Sequence, residues 1–331
     1  MDGIFPALLQ KVREVIIPYL VRIFCACLLM GYVPAIWQQV KVVFIPKPSR
    51  NSYSGPRDYR PISLTSFLLE TIERLVDRHL RDEALALVPL HPNQRAYQAV
   101  KSMEMALHQL VVQVEKALDQ QETALGVFLD IEGAFNNTCY DAMCDALVRR
   151  GSEYTIVRWI RATLEGHVAV VALNGSSVRL AISRGCLQGG VLSPLLWCLV
   201  VNDLIARLSG SGIFIQGYSD DIHLLEVGKF PSMVSGFMQW ALSTVEICCS
   251  EVRLLVNPNK TGLVAFTRKR KLQGFFEPRF FGVKLSLSGS VKYLGVILDS
   301  RLPCREYVEV KVRKAHNLWW ACRRVLSWIL S

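Results

Sequence analysis

The chain has 331 residues with 51% hydrophobic content, enough for two or three packed domains or lobes and incompatible with a disordered polypeptide. Its 38 lysines and arginines against 28 aspartates and glutamates give a formal charge of +10 and a pI near 9.2, which suits a polyanionic partner, nucleic acid or an anionic membrane surface. The ten cysteines include no CxxC pairs at zinc-finger spacing and read as reduced thiols, many of them buried.

The opening MDGIFPALLQKVREV has no basic segment running into an apolar core, so no secretory leader is expected. Val15 to Val33 is nearly long enough to span a bilayer, but Arg22 lies near its centre and Pro18 near its start. A central arginine costs about 2.5–3.5 kcal/mol on insertion scales, which favours a buried amphipathic helix ended by Gly31 and Pro34. VKVVFIPKPSR follows as a β-rich run leading into a basic loop. SLTSFLLETIERLVDRHLRDEAL then has helical spacing, with Leu68, Leu69, Ile72, Leu75, Val76 and Leu80 as its buried stripe.

Further along, the pattern predicts a helix over about 102–118, a strand over 124–131, and helices over about 139–149 and 155–164. A hairpin turning at Asn174-Gly175 comes next. Then follow a helix over 192–208, a hairpin around Asp220 and Asp221, a helix near 233–251, short strands including SVKYLGVILDS, and a basic helix from about Tyr307 to Ile329. Helices mixed with a mainly antiparallel sheet predict an α+β fold. No GxxxxGK[ST] loop is present and the order does not read as doubly wound.

Chemistry concentrates at three carboxylates. Asp220 and Asp221 sit side by side between two apolar runs, where like charges repel and lose hydration. A surface hairpin corner is the simplest account; a divalent cation that relieves the repulsion is the other. Asp130 ends the apolar strand GVFLD, and next to that hairpin it would complete a carboxylate set able to hold two Mg²⁺ about 3.5–4 Å apart.

FLDIEGAF, GCLQGGVLSPLLWCLVVNDL, YSDD, LLVNPNKTGLVAFTRK and VKYLGVILD occur in that order. Together they resemble the palm motifs of reverse transcriptases, most of all those of non-LTR (LINE-type, jockey-like) retrotransposons. Upstream, VPAIWQQVKVVFIPKPSR and DYRPISLTSFLLETIERLVDRHL resemble the same family's fingers motifs. The resemblance covers nearly the whole chain. It implies a right-hand polymerase with fingers over 1–100, a palm over 101–300 and the start of a helical thumb over 301–331. The ends suggest a piece of a longer element product, with no endonuclease or RNase H module.

The implied activity is RNA-directed DNA synthesis, adding dNTPs to a DNA primer 3′-hydroxyl on an RNA template, with two Mg²⁺, or Mn²⁺ in their place. No membrane association is implied. The setting would be intracellular, at a nuclear site of target-primed synthesis with a cytoplasmic ribonucleoprotein stage. Asp130 and Asp220 become the principal metal ligands, Asp221 the third catalytic carboxylate and the Ile131 carbonyl an accessory ligand. Phe135 falls where the family has an aromatic steric gate against a 2′-hydroxyl. Gln188 and Gly189 contact nucleotide or template, Lys47 and Arg60 hold the triphosphate, and Lys260 protonates the leaving pyrophosphate. Tyr293, Leu294 and Gly295 resemble the primer-grip hairpin, and Arg268 to Lys271 is a basic run suited to phosphates.

Two departures are visible: HPNQRAYQ replaces a Gln followed by a Gly-Phe pair after the fingers helix, and Asn136 replaces an aspartate after the gate. The contrasting reading is a truncated, catalytically silent retroelement remnant that only binds nucleic acid.

Overall fold

A computed structural model describes residues 10–47, 52–173 and 175–302, together with 308–309, 312–313, 315–316 and 319–320. In chain order its principal elements are α1 (Arg13–Met30), β1 (Gln39–Pro46), β2 (Tyr59–Leu64), α2 (Phe67–Asp82), α3 (Met103–Asp119), β3 (Thr123–Glu132), α4 (Tyr140–Val148) and α5 (Tyr154–Gly166). They continue with β4 (Val168–Leu173), β5 (Ser176–Ala181), α6 (Ser193–Ser209), β6 (Phe214–Tyr218), β7 (Asp221–Gly228), α7 (Pro231–Glu251), β8 (Gly262–Phe266), β9 (Leu287–Ser288), β10 (Ser290–Tyr293) and β11 (Val296–Asp299). Asn174, expected in a hairpin turn, lies outside the described residues, as do most of the basic helix expected from Tyr307 and of the thumb.

The chain divides into two compact units, each assembled from three segments. One comprises Met1–Tyr97, Ile131–Ala206 and Cys248–Leu255; the other comprises Gln98–Asp130, Arg207–Ile247 and Val256–Ser331. Four of the five crossings between units fall inside regular elements, within β3, α6, α7 and the two-residue strand Leu255–Val256.

The first unit carries a four-stranded sheet in the order β2-β1-β4-β5, with β1 antiparallel to β2 and parallel to β4. Its core joins α2, α4, α5 and the first turns of α6 through Leu69, Ile72, Met143, Trp159, Ile160 and Leu195. Ser66 caps α2, its hydroxyl accepting from Leu69 N–H. Two details depart from expectation. Leu75 is 50% exposed, while Glu73 takes a buried place in the stripe. Helix α1 buries only Phe24 and Cys27 and leaves Val15, Tyr19, Leu29 and Met30 exposed. Its residues are apolar nearly all round, so packing one side cannot hide the rest. Among the described residues no helix is long and apolar enough to cross a membrane.

The second unit is built on an antiparallel core, β8-β3-β7-β6, with β9 added in parallel beside β8. Strand β3 lies between β7 and β8, so its run Thr123 to Leu129 is buried on both faces, which explains continuous rather than alternating apolarity. Gly126 leaves room for two rings: a Cβ would stand 3.0 Å from the Phe128 ring and 3.1 Å from the Phe266 ring, so both would have to shift by a few tenths of an ångström. Across both units, six of the eight described cysteines are buried.

Candidate active site

Within the second unit β3 and β7 pair from Thr123↔Gly228 to Asp130↔Asp221, so the ladder ends on two aspartates directly opposite each other. Strand β6 continues the row, pairing Tyr218 with Asp221. Ser219 and Asp220 alone join β6 to β7, and Ser219 has φ +56°. A positive φ at the first central position is the pattern of a type II′ hairpin turn, whose twist matches that of the strands. The tight turn puts Asp220 at the exposed tip beside the pair.

Aspartates opposite in a ladder repel. The Asp221 carboxyl is pushed up to about 6, first by desolvation and then by the charges of Asp220 and Asp130, with Lys292 acting in the other direction. The residue keeps solvent contact, so water screens the desolvating effect and the neighbouring charges are the firmer cause.

Asp130 has a cationic neighbour: Lys260 Nζ stands 3.3 Å from its Oδ2. Lys260 lies in a tight turn in which its N–H and the Thr261 N–H both donate to Asn257 O, while Asn257 N–H donates to the Asp130 carbonyl at 3.0 Å. The NPNKT turn is thereby fastened to the end of β3. Among the described residues no three His, Cys, Asp or Glu side chains close into a metal-holding group by themselves. The donor set nevertheless suits Mg²⁺, which prefers a few carboxylates completed by water and substrate phosphates, and a cation would relieve the repulsion at Asp221. Ile131, whose carbonyl was expected as an accessory ligand, follows Asp130 in β3 with its side chain buried.

On the face bearing Asp130 and Asp221, the next row is Phe128, His223 and Gln216. His223 is fully buried and held neutral, its pKa lowered by burial to about 3. Its ring meets Tyr293 at 4.8 Å in an edge-on arrangement, and Phe128 also packs on Tyr293 at 5.3 Å. Tyr293 is 2% exposed and Leu294 is also buried. Of the three residues expected at the primer, Tyr293 and Leu294 place their side chains in the core, and Gly295 is exposed. Arg268, from the basic run, pairs with Asp119 at 3.0 Å.

The remaining predicted residues belong to the first unit. The Gln188 carbonyl accepts from Ser63 N–H at 2.8 Å. Gly189 has φ +116° and approaches so closely that a Cβ would lie 2.7 Å from Ser63 O, so this loop position demands glycine. Phe135 is half-buried, its ring 6.4 Å from Tyr97 and 6.0 Å from Trp197, and its carbonyl accepts from Cys186 N–H at 2.7 Å. That bond ties the Phe135 turn to the segment leading into Gln188. Lys47 follows β1, its N–H donating to Asp58 O at 2.8 Å, and Arg60 projects from β2 into solvent.

Sequence reasoning missed Glu73. The Val191 N–H donates to its Oε2 at 3.1 Å, and burial pushes the carboxyl up to about 7. Glu73 therefore anchors the far side of the loop that carries Gln188. A glutamate interrupting the apolar stripe of α2 was the available signal.

The family model described as reverse transcriptase (RNA-dependent DNA polymerase) matches residues 45–298, a span that holds all the carboxylates above and Lys260. The chain belongs to the reverse transcriptase family. Among curated relatives it is similar to the probable RNA-directed DNA polymerase from transposon BS of Drosophila melanogaster, 28% identical over all of this chain and 36% of that protein. It is also similar to the Pol polyprotein of type-1 retrotransposable element R1 of Bradysia coprophila, 28% identical over all of this chain and 33% of that one. The RNA-directed DNA polymerase from mobile element jockey of Drosophila funebris is 28% identical over 88% of this chain and 32% of that one. The chain thus spans about a third of the length of these relatives.

The resemblance to non-LTR retrotransposon reverse transcriptases is borne out. Among solved structures, apo telomerase from Candida tropicalis truncated of its C-terminal domain aligns with 80% of this reverse transcriptase chain and 54% of its own, at TM-score 0.53 and 12% identity. Telomerase from Candida tropicalis with a fragment of telomeric RNA aligns with 81% of this chain and 44% of its own, at TM-score 0.56 and 12% identity. These show the fold: an α+β right-hand polymerase architecture.

Proposed function

We propose that this chain is an RNA-directed DNA polymerase that extends a DNA primer 3′-hydroxyl with dNTPs on an RNA template. The observation that carries the reading is the Asp130–Asp221 pair at the end of the β3–β7 ladder, with Asp220 in the adjoining turn, in a chain of the reverse transcriptase family.

Asp130, Asp220, Asp221 and the Ile131 carbonyl would hold two Mg²⁺, or Mn²⁺. When bound, such cations activate the attacking hydroxyl and stabilise charge on the leaving pyrophosphate. The protein's own part is to hold the backbone of the carboxylates at the end of a hydrogen-bonded ladder, so that they are brought together on one strand end before substrate arrives. Lys260, positively charged and held against Asp130, supplies a proton donor for the departing pyrophosphate.

In the first unit the roles follow the family resemblance residue by residue. Phe135 excludes a ribose 2′-hydroxyl, Gln188 and Gly189 meet nucleotide or template, and Lys47 and Arg60 bind the triphosphate. In the second unit, Tyr293, Leu294 and Gly295 of the β10–β11 hairpin form the primer contact, and the exposure of Gly295 supports contact through the main chain there.

The test is primer extension on an RNA template with purified protein, Mg²⁺ and dNTPs. The wild type extends, and Asp130→Asn and Asp220→Asn each fail while melting as cooperatively as wild type. Tight RNA binding with no extension by the wild type would instead favour a silent nucleic-acid binder.

A further inference from the structure

In the first unit an open cavity of about 250 Å³ is lined by polar and charged side chains, among them Asn137, Tyr140, Arg161, Arg184 and Arg253. No role assigned above uses it. We propose that this cavity binds one backbone phosphate of a nucleic-acid strand, gripped by Arg184 and Arg253.

The charge arrangement singles out these two arginines. Arg161 is spent on the cavity's own carboxylates, 2.7 Å from Asp141 and 3.1 Å from Glu165. Arg161 offsets one of these two carboxylate charges, and with Arg184 and Arg253 the lining carries three arginines against two carboxylates, a net positive balance supplied by those two guanidinium groups.

Arg184 is held in place from both sides. The Tyr140 hydroxyl donates to Ile182 O at 2.9 Å, and Gly185 N–H donates to Thr138 O at 2.8 Å. Gly185 lies so close to the Asn136 backbone that a Cβ would stand 2.3 Å from Asn136 O. The segment carrying Arg184 is therefore set before any ligand arrives, which lowers the ordering cost of binding.

Arg253 adds a separate observation. It follows α7 with φ +56°, while Leu254 N–H donates to Cys249 O at 2.8 Å. This is the left-handed residue that ends a helix, a place normally given to glycine. An arginine kept there accepts backbone strain, and strain held at a cavity wall points to use of the side chain.

Two forked guanidinium groups match the oxygens of a phosphodiester. A chain of charge +10 in the reverse transcriptase family meets that group on nucleic acid. The inference rests on the proposed function only in taking nucleic acid as the partner. It needs no catalysis.

The experiment measures binding of a single-stranded RNA oligonucleotide and of the DNA of the same sequence to the full chain, by fluorescence anisotropy across a salt series without dNTPs or divalent cations. The variants are Arg184→Gln, Arg253→Gly, both together, and Lys11→Gln as a control for net charge. Arg253→Gly relieves the left-handed strain, so it melts no lower than wild type and folding stays separate from binding.

For the double variant, the slope of log affinity against log salt becomes shallower by about 0.7, the increment for one phosphate on a single strand. The change is equal for RNA and DNA, with Lys11→Gln unchanged. An unaltered slope in the double variant would overturn the proposal. So would a loss confined to RNA, which would locate the contact on the 2′-hydroxyl. Binding of inorganic phosphate that the double variant abolishes, with oligonucleotide affinity untouched, would also overturn it by making this a pocket for free anions. A wild type that fails to extend primers yet shows the slope change would end the polymerase reading and leave this one standing.

Discussion

Lys260 and Asp130, 130 residues apart in sequence, stand as an ion pair with Nζ 3.3 Å from Oδ2. Both side chains remain substantially exposed, so the pair adds little to stability, and its importance lies in where it holds the ammonium group. Lys260→Gln is expected to melt within about 1 kcal/mol of wild type. If Lys260 is the proton donor, kcat for dNTP addition falls by about 10²–10⁴ with KM for dNTP little changed. Steady-state kinetics on a primer–template check this, and a wild-type kcat in the variant removes Lys260 from the chemistry.

Asp221 makes stability depend on pH in a direction opposite to that of an ion-paired carboxylate. Its pKa is about 6 in the folded chain against about 3.9 unfolded, so between those values the folded state binds more protons. Stability from this group therefore falls as pH rises from about 4 to about 6, and stays lowered above that range. Asp221→Asn removes the effect. The variant is expected to match wild type near pH 4 and to be more stable at pH 7, by up to about 1 kcal/mol if repulsion between facing charges dominates. Denaturant melts at the two pH values decide it; a variant less stable than wild type at pH 7 contradicts the repulsion argument.

Phe135 has both a packing role and a proposed specificity role, and one substitution separates them. Its ring is half-buried against Tyr97 and Trp197, so Phe135→Ala costs less than the about 3–5 kcal/mol typical of a fully buried phenylalanine. A steric gate predicts that the kcat/KM ratio for rNTP over dNTP rises in the variant. An unchanged ratio in a folded variant leaves Phe135 with packing alone.

Glu73 is tested by comparing two replacements. Glu73→Gln keeps an oxygen to accept from Val191 N–H, whereas Glu73→Ala leaves that buried donor without its partner. The alanine variant is expected to lose about 1–3 kcal/mol more than the glutamine variant, with faster hydrogen exchange at the Val191 amide. Equal losses in the two variants would show that packing volume, not the hydrogen bond, is what the glutamate provides.

Much of this was legible in the sequence because it is local. Apolar spacing located α2 and α3, and Ser66 and Ser102 cap them. An apolar strand ending in Asp130 and a short turn between two apolar runs announced the carboxylate pair. What was not legible depends on distant packing. Tyr293 was expected at a primer, yet its ring is enclosed by Phe128 and His223, partners brought in by strand register. Glu73 sits at a helix position where periodicity expects a hydrophobe, and its reason is a backbone donor in a loop over a hundred residues away. Helix α1 was expected as a buried amphipathic helix because Arg22 and Pro18 speak against a membrane span, yet it is apolar nearly all round and buries only Phe24 and Cys27.

The threading of each unit through three separate stretches of chain has a consequence for synthesis. Strand β3 leaves the ribosome long before β7 and β8, the two strands that flank it. Until they arrive, both rows of its backbone donors and acceptors have no ladder partners, and of its native packing only α3, made earlier and in the same core cluster as Ala124 and Phe128, is at hand. Such distant pairings make folding slow and leave nascent strand edges open to aggregation. Stalling translation between residues 132 and 220 should therefore yield a protease-sensitive nascent chain, and resistance should set in only after β8 has emerged.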